Sequence, residues 1–72
     1  MNTAYGAIPA ALRNFHELPD SARVSAAVPR GLWDISDATL RRRVAAGVIP
    51  KPVYDGRDRR WIVGELRAAL AK

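Results

Sequence analysis

A short stretch rich in glycine and proline constrains the fold of this chain most. Gly47 is suited to end a helix in the left-handed conformation. Pro50 and Pro52 then fix their own backbone angles and disfavour helix in the residues before them. Asp55 and Gly56 supply turn chemistry a few residues later. The chain must therefore change from helix to hairpin within this stretch.

The residues before this stretch predict a helix from about Asp37 to Ala46. Ser36 suits the N-cap position, and Leu40 and Val44 share one apolar face. The opposite side combines small residues with arginines: Ala38, Arg42, Ala45 and Ala46, flanked by Thr39 and Arg41. Such a face lets a partner approach the helix backbone closely, and the alternative is a basic face that only contacts solvent.

The residues after this stretch predict a β-hairpin and a closing helix. Residues 53–54 and 60–62 read as the two strands, with Trp61 as the anchor that packs the hairpin on the helices. A last helix is predicted from about Glu65 to Ala71, with Gly64 as its N-cap. Its inner face is expected to carry Val63, Leu66 and Leu70.

The N-terminal part is predicted to hold two further segments. Residues 1–18 form either a short helix, with Pro9 at its first position, or a loose arm; the apolar spacing that favours a helix comes from Ile8, Leu12 and Phe15. Residues 19–72 form the main domain.

The main domain is predicted to open with a helix that has Asp20 or Ser21 as its N-cap and continues from Ala22 to Val28. Pro29 is expected to end this helix, because its ring cannot continue an established helix comfortably. The residues up to Ser36 then form a connection whose apolar side chains plug the core: Leu32, Trp33 and Ile35.

Length and composition exclude several functional classes. At 72 residues the chain is one domain, and it has no cysteine for disulfides. His16 is the only histidine, so no usual zinc site can be assembled and no cofactor is expected. The carboxylates are scattered, which argues against an enzyme. No apolar run approaches the roughly 20 residues that span a bilayer, and the N-terminus lacks signal-peptide features. We therefore expect a cytoplasmic protein that contacts no membrane.

The net charge is confined to one segment. The chain carries +5 overall, and residues 39–61 account for all of it; the remaining basic and acidic residues balance. The basic residues of this segment are Arg41, Arg42, Arg43, Lys51, Arg57, Arg59 and Arg60. Because phosphates attract such a surface and release counterions on binding, a nucleic acid is the expected partner.

Three pieces of sequence stand in order along the chain: ISDATLRR at residues 35–42, GVIPKPV at residues 47–53 and GRDRRW at residues 56–61. Together they resemble the phage excisionase and AlpA-like group, which is related to the MerR-type winged helix-turn-helix. The first piece is similar to the opening of its recognition helix, the second to its link from helix to wing, and the third to the return strand of the wing. The resemblance covers about half the chain, roughly residues 35–71.

The resemblance implies a mainly α fold with a small β-hairpin, a winged helix-turn-helix, and a role as an excisionase. Excisionases, or recombination directionality factors, act with an integrase of a phage or mobile element so that it excises DNA. We accordingly expect cooperative self-association on DNA and a location at the nucleoid. Two alternatives stay open: an AlpA-like transcriptional regulator, and a factor that acts mainly by contact with the integrase through Trp33, Phe15 or the N-terminal segment.

The resemblance also assigns DNA-contacting residues by position. In the recognition helix, the residues expected to face the major groove are Ala38, Thr39, Arg41 and Arg42. In the wing, the residues expected to reach phosphates or the minor groove are Arg57, Arg59 and Arg60, and Lys51 would touch the backbone. One departure stands out: the family joins its first two helices by a tight turn, whereas residues 29–35 predict a longer connection here.

Overall fold

Four α-helices and a three-stranded antiparallel sheet make up the part of the chain, residues 9–72, that this computed structural model describes. Ile8, which contributes to the apolar spacing that predicts a helix within residues 1–18, lies outside that part. A short 3₁₀ helix also follows the first α-helix. In chain order the elements are α1 (Ala10–Arg13), the 3₁₀ helix (Phe15–Glu17), β1 (Arg23–Val24), α2 (Ala27–Trp33), α3 (Asp37–Ala45), β2 (Val53–Asp55), β3 (Asp58–Ile62) and α4 (Val63–Leu70).

The sheet has one strand more than the predicted hairpin. Its order is β1-β3-β2, and β1 pairs Val24 with Trp61. The prediction of a helix beginning at Asp20 or Ser21 is therefore wrong, and the fold is mixed α/β rather than mainly α. The backbone explains why: the carbonyls of Asp20 and Ala22 accept hydrogen bonds from the first N–H groups of α4, both at 2.9 Å. These bonds tie the turn at Asp20 to the start of α4, and Arg23–Val24 then pair with the edge of β3.

The second helix, α2, begins at Ala27, close to the point where the sequence predicted that a helix would end. Pro29 lies in its first turn, where the missing N–H has no helical partner to lose. The helix ends at Trp33, and Asp34 takes the left-handed conformation with φ 54°. The Ile35 N–H donates to the Arg30 carbonyl at 2.9 Å, which completes a Schellman motif. The predicted connection over residues 29–35 is therefore wrong, and only residues 34–36 separate α2 from α3.

The third helix, α3, begins where the sequence predicted, and both predicted end signals, Ser36 and Gly47, take the expected roles. The Ser36 hydroxyl accepts a hydrogen bond from the Thr39 N–H at 3.2 Å, as an N-cap should. Gly47 has φ 80°, and the Val48 N–H donates to the Arg43 carbonyl at 2.9 Å. The α-helix itself ends at Ala45, one residue earlier than expected.

The hairpin and α4 follow the predicted order with shifted boundaries. Asp55 pairs with Asp58, so the turn contains two residues, and Gly56 occupies the first of them with φ 65°. The last helix, α4, begins at Val63, so Gly64 is a helical residue and not its N-cap. The prediction for Leu70 is also wrong: it is 42% exposed.

The core lies between the sheet and the helices. Its buried apolar residues are Phe15, Val24, Val28, Leu40, Ile49, Trp61, Val63 and Leu66. Trp61 is 1% exposed, which confirms its predicted anchoring role. Phe15 shows that residues before position 19 join the same core, and the guanidinium of Arg67 donates to the carbonyls of Phe15 and Leu18 at 2.9 and 2.6 Å. No helix within residues 9–72 is long and apolar enough to cross a membrane.

Candidate nucleic-acid interface

One exposed stripe of α3 carries small residues and an arginine. Ala38, Arg42 and Ala45 follow one another at helical spacing, and all three are exposed. Leu40 on the opposite side is fully buried, so the helix is fixed with this stripe outward. The methyl groups of the two alanines leave the helix backbone accessible to a large partner.

The arginine of this stripe is oriented by its neighbours. Arg42 Nη2 donates to Thr39 Oγ1 at 2.9 Å, and the Ser36 hydroxyl donates to the same oxygen at 3.2 Å. Within residues 9–72 this is the one protein acceptor that Arg42 contacts. Its remaining N–H groups face outward and can donate to a base edge or a phosphate.

A carboxylate at the start of α3 binds two of the predicted contact residues. Asp37 Oδ1 accepts from Arg59 Nη2 at 2.7 Å, and Asp37 Oδ2 accepts from Arg41 Nε at 2.8 Å. The hydrogen bond from Arg59, followed by that from Arg41, lowers the pKa of Asp37 to about 2. The bond to Asp37 in turn raises the pKa of Arg41. Asp37 is ionised at neutral pH and links α3 to β3.

A cleft separates α3 from the hairpin beside this carboxylate. Its volume is about 200 Å³, and its lining residues are Arg41, Val44, Ala45, Pro52, Tyr54, Arg59 and Trp61. The Arg59 guanidinium lies over the Trp61 ring, 5.5 Å from the centroid. Tyr54 is 65% exposed at the rim. The cleft therefore has an apolar floor and two guanidinium groups on its walls.

The basic residues of the hairpin do not form one cluster. Arg57 lies exposed in the turn, and Lys51 is exposed in the link before β2. Arg59 and Arg60 are neighbours in β3 and so point to opposite faces of the sheet. Arg59 faces α3, whereas Arg60 is 3.5 Å from the Asp58 carboxylate. The structure thus brings Arg59 together with Arg41 and separates it from Arg60.

Sequence reasoning did not identify Asp37 as part of the site. The spacing of Asp37 and Arg41 at i, i+4 signals a helical ion pair. The bond from Arg59 has no such signal, because the two residues are 22 positions apart in the chain. Only the packing of the hairpin on α3 reveals that one carboxylate serves both arginines.

Two side chains considered for contact with an integrase face the protein interior. Phe15 is 9% exposed, and Trp33 is half-buried against the core cluster. Among residues 9–72, no three His, Asp or Glu side chains come together in a way that could hold a metal ion. Comparison of the chain with known protein families, curated proteins and solved structures found no match.

Proposed function

We propose that this chain binds double-stranded DNA as a winged helix-turn-helix protein. In this proposal α2 and α3 are the helix pair, α3 is the recognition helix, and β2 and β3 form the wing. One observation carries it: the exposed arginine and alanine stripe of α3 lies beside a basic hairpin, and Asp37 links the two elements through its bond with Arg59. A rigid helix with small exposed residues suits the major groove of B-DNA, which admits one α-helix.

The electrostatics support DNA over a neutral partner. The whole +5 charge of the chain lies in residues 39–61, which comprise most of α3 and nearly all of the hairpin. In the proposed complex Ala38, Thr39, Arg41 and Arg42 face the major groove. The wing contributes Arg57, Arg59 and Arg60 to phosphates or the minor groove, and Lys51 contacts the backbone.

Within this class, we propose that the chain is an excisionase, or recombination directionality factor, of a phage or mobile element. The support is the order and spacing of the three resembling pieces of sequence, together with the short turn over residues 34–36. That turn matters because the resemblance expects a tight connection between the first two helices. In this role the protein assembles cooperatively on DNA at the nucleoid and directs an integrase towards excision.

A mobility-shift titration tests both levels of the proposal. The probes are an attachment-site duplex of the element that encodes the chain and a scrambled duplex of equal length, each at low and high salt. We expect discrete complexes on the attachment site that weaken steeply with salt, and recombination to excision products when the element's integrase is added. If the protein binds neither duplex, the proposed DNA-binding function is wrong.

The same titration separates the alternative functions. Binding to the attachment site with no change in the recombination products would favour an AlpA-like transcriptional regulator. A shift seen only on integrase-bound DNA would favour a factor that acts by contact with the integrase.

A further inference from the structure

The proposed DNA surface contains a negative charge at an unexpected place. Asp37 lies in the first turn of α3, the part of a recognition helix that approaches base edges. Its side chain is 35% exposed, so the carboxylate is within reach of a bound nucleic acid. A carboxylate there repels phosphates, and a cap for α3 is already provided by Ser36. Asp37 suits the positive end of the helix dipole and links α3 to β3, but both of its bonded partners, Arg41 and Arg59, are residues proposed to contact DNA.

The two arginines bound to Asp37 differ in how firmly they are held. Arg59 is 24% exposed and also lies over the Trp61 ring, so it is fixed on the cleft wall. Arg41 is 69% exposed, and an ion pair so open to solvent is easily exchanged. A phosphate that enters the cleft can replace the carboxylate at Arg41 with little loss, whereas Arg59 stays in place.

We propose that Asp37 is a positioning residue that acts as an internal competitor for DNA phosphate. In the free protein it occupies the guanidinium groups of Arg41 and Arg59, which weakens binding to unmatched duplexes. At a matched site, contacts by neighbouring residues such as Arg42 compensate for its repulsion. Asp37 thereby raises the ratio of specific to non-specific affinity. This inference rests on the proposed DNA-binding function.

The test compares two single substitutions that remove the same charge. Asp37→Asn keeps the size of the side chain and removes the competitor. Asp55→Asn is the matched control, because Asp55 is an exposed hairpin carboxylate that forms no ion pair within residues 9–72. Fluorescence anisotropy with a mixed-sequence duplex, measured over a salt series, reports the affinity and the number of phosphates contacted.

We expect Asp37→Asn to bind the mixed-sequence duplex about tenfold more tightly at low salt, with a salt slope steeper by about 1 to 2. Asp55→Asn should change the affinity only slightly and leave the slope as it is. On the attachment-site duplex the gain for Asp37→Asn should be smaller, so its specificity ratio falls. A merely structural role for Asp37 would not steepen the slope.

A second variant covers the case in which Asp37→Asn is poorly folded. Asp37→Glu retains the negative charge and should keep the shallow wild-type slope on the mixed-sequence duplex. Equal slopes for Asp37→Asn and Asp55→Asn, or a steep slope for Asp37→Glu, would overturn the inference and leave DNA binding intact. Failure of the wild-type protein to bind either duplex would instead overturn the proposed function, and the inference with it.

Discussion

The indole N–H of Trp61 donates a hydrogen bond to the Pro50 carbonyl at 2.8 Å. This bond joins β3 to the link that follows α3, and the Asp37–Arg59 bond joins β3 to the start of the same helix. The hairpin is therefore attached near both ends of α3. Such double attachment keeps the proposed recognition helix and wing in one fixed arrangement.

Trp61→Phe should destabilise the protein by about 2–4 kcal/mol, because the smaller ring leaves space in the core and the Pro50 carbonyl loses its partner. Urea unfolding followed by circular dichroism measures the loss.

The control for this substitution is Trp33→Phe. Trp33 is only half-buried, and its indole has no hydrogen bond within residues 9–72. The Trp33→Phe variant should therefore lose clearly less stability than the Trp61→Phe variant. Equal losses for the two variants would contradict the anchoring role of Trp61.

Acid should weaken the fold partly through Asp37. Folding lowers the pKa of this carboxyl to about 2 from an ordinary 3.8, so its contribution to stability is complete above about pH 4 and is lost as the pH falls towards 2. Asp37→Asn should therefore show a smaller fall of the urea midpoint over this range than the wild-type protein. An identical fall in both proteins would contradict the stabilisation of the Asp37 carboxylate by Arg59 and Arg41.

Gly47→Ala should destabilise the protein by about 1 kcal/mol. The reason is conformational, because φ is 80° at Gly47 and a β-carbon there would meet no atom within 4 Å. Gly47→Asn should cost less, since asparagine tolerates the left-handed conformation better than alanine. Thermal unfolding of the two variants compares them directly, and equal losses would contradict the left-handed conformation as the cause.

The sequence predicted the region from α3 to β3 well because local chemistry decides it. Ser36 caps α3, Gly47 ends it, and Gly56 lies in the hairpin turn as its residue type predicts. Each of these features acts within a few residues, so it can be read without knowledge of the rest of the chain.

The region before α3 was predicted poorly because distant contacts decide it. The Val24 segment becomes a strand only because β3 offers a free edge, and the carbonyls around it accept bonds from the start of α4. Pro29 is compatible with the first turn of a helix as well as with its end, so the residue type alone does not place the helix, in which Val28 and Pro29 are both buried. The Asp37–Arg59 bond in the candidate site was missed for the same reason.

Arg57→Ala should weaken binding to all duplexes to a similar degree and reduce the salt slope by about 1. Arg57 lies exposed in the hairpin turn, where it can meet a phosphate without reading a base. Anisotropy over a salt series on the attachment-site and scrambled duplexes measures both quantities. A loss confined to the attachment-site duplex would instead assign base recognition to the turn.

Arg42→Ala should weaken binding to the attachment-site duplex by about 1–3 kcal/mol if its free N–H groups read a guanine edge. Binding to the scrambled duplex should change much less, because Arg42 then contributes one charge among several. Arg13→Ala is the control, because it removes the same charge. Arg13 is an exposed arginine on α1 and lies far in sequence from the basic segment. Anisotropy titrations of the three proteins on both duplexes provide the comparison. If Arg42→Ala and Arg13→Ala lose affinity equally, α3 does not read DNA through this side chain.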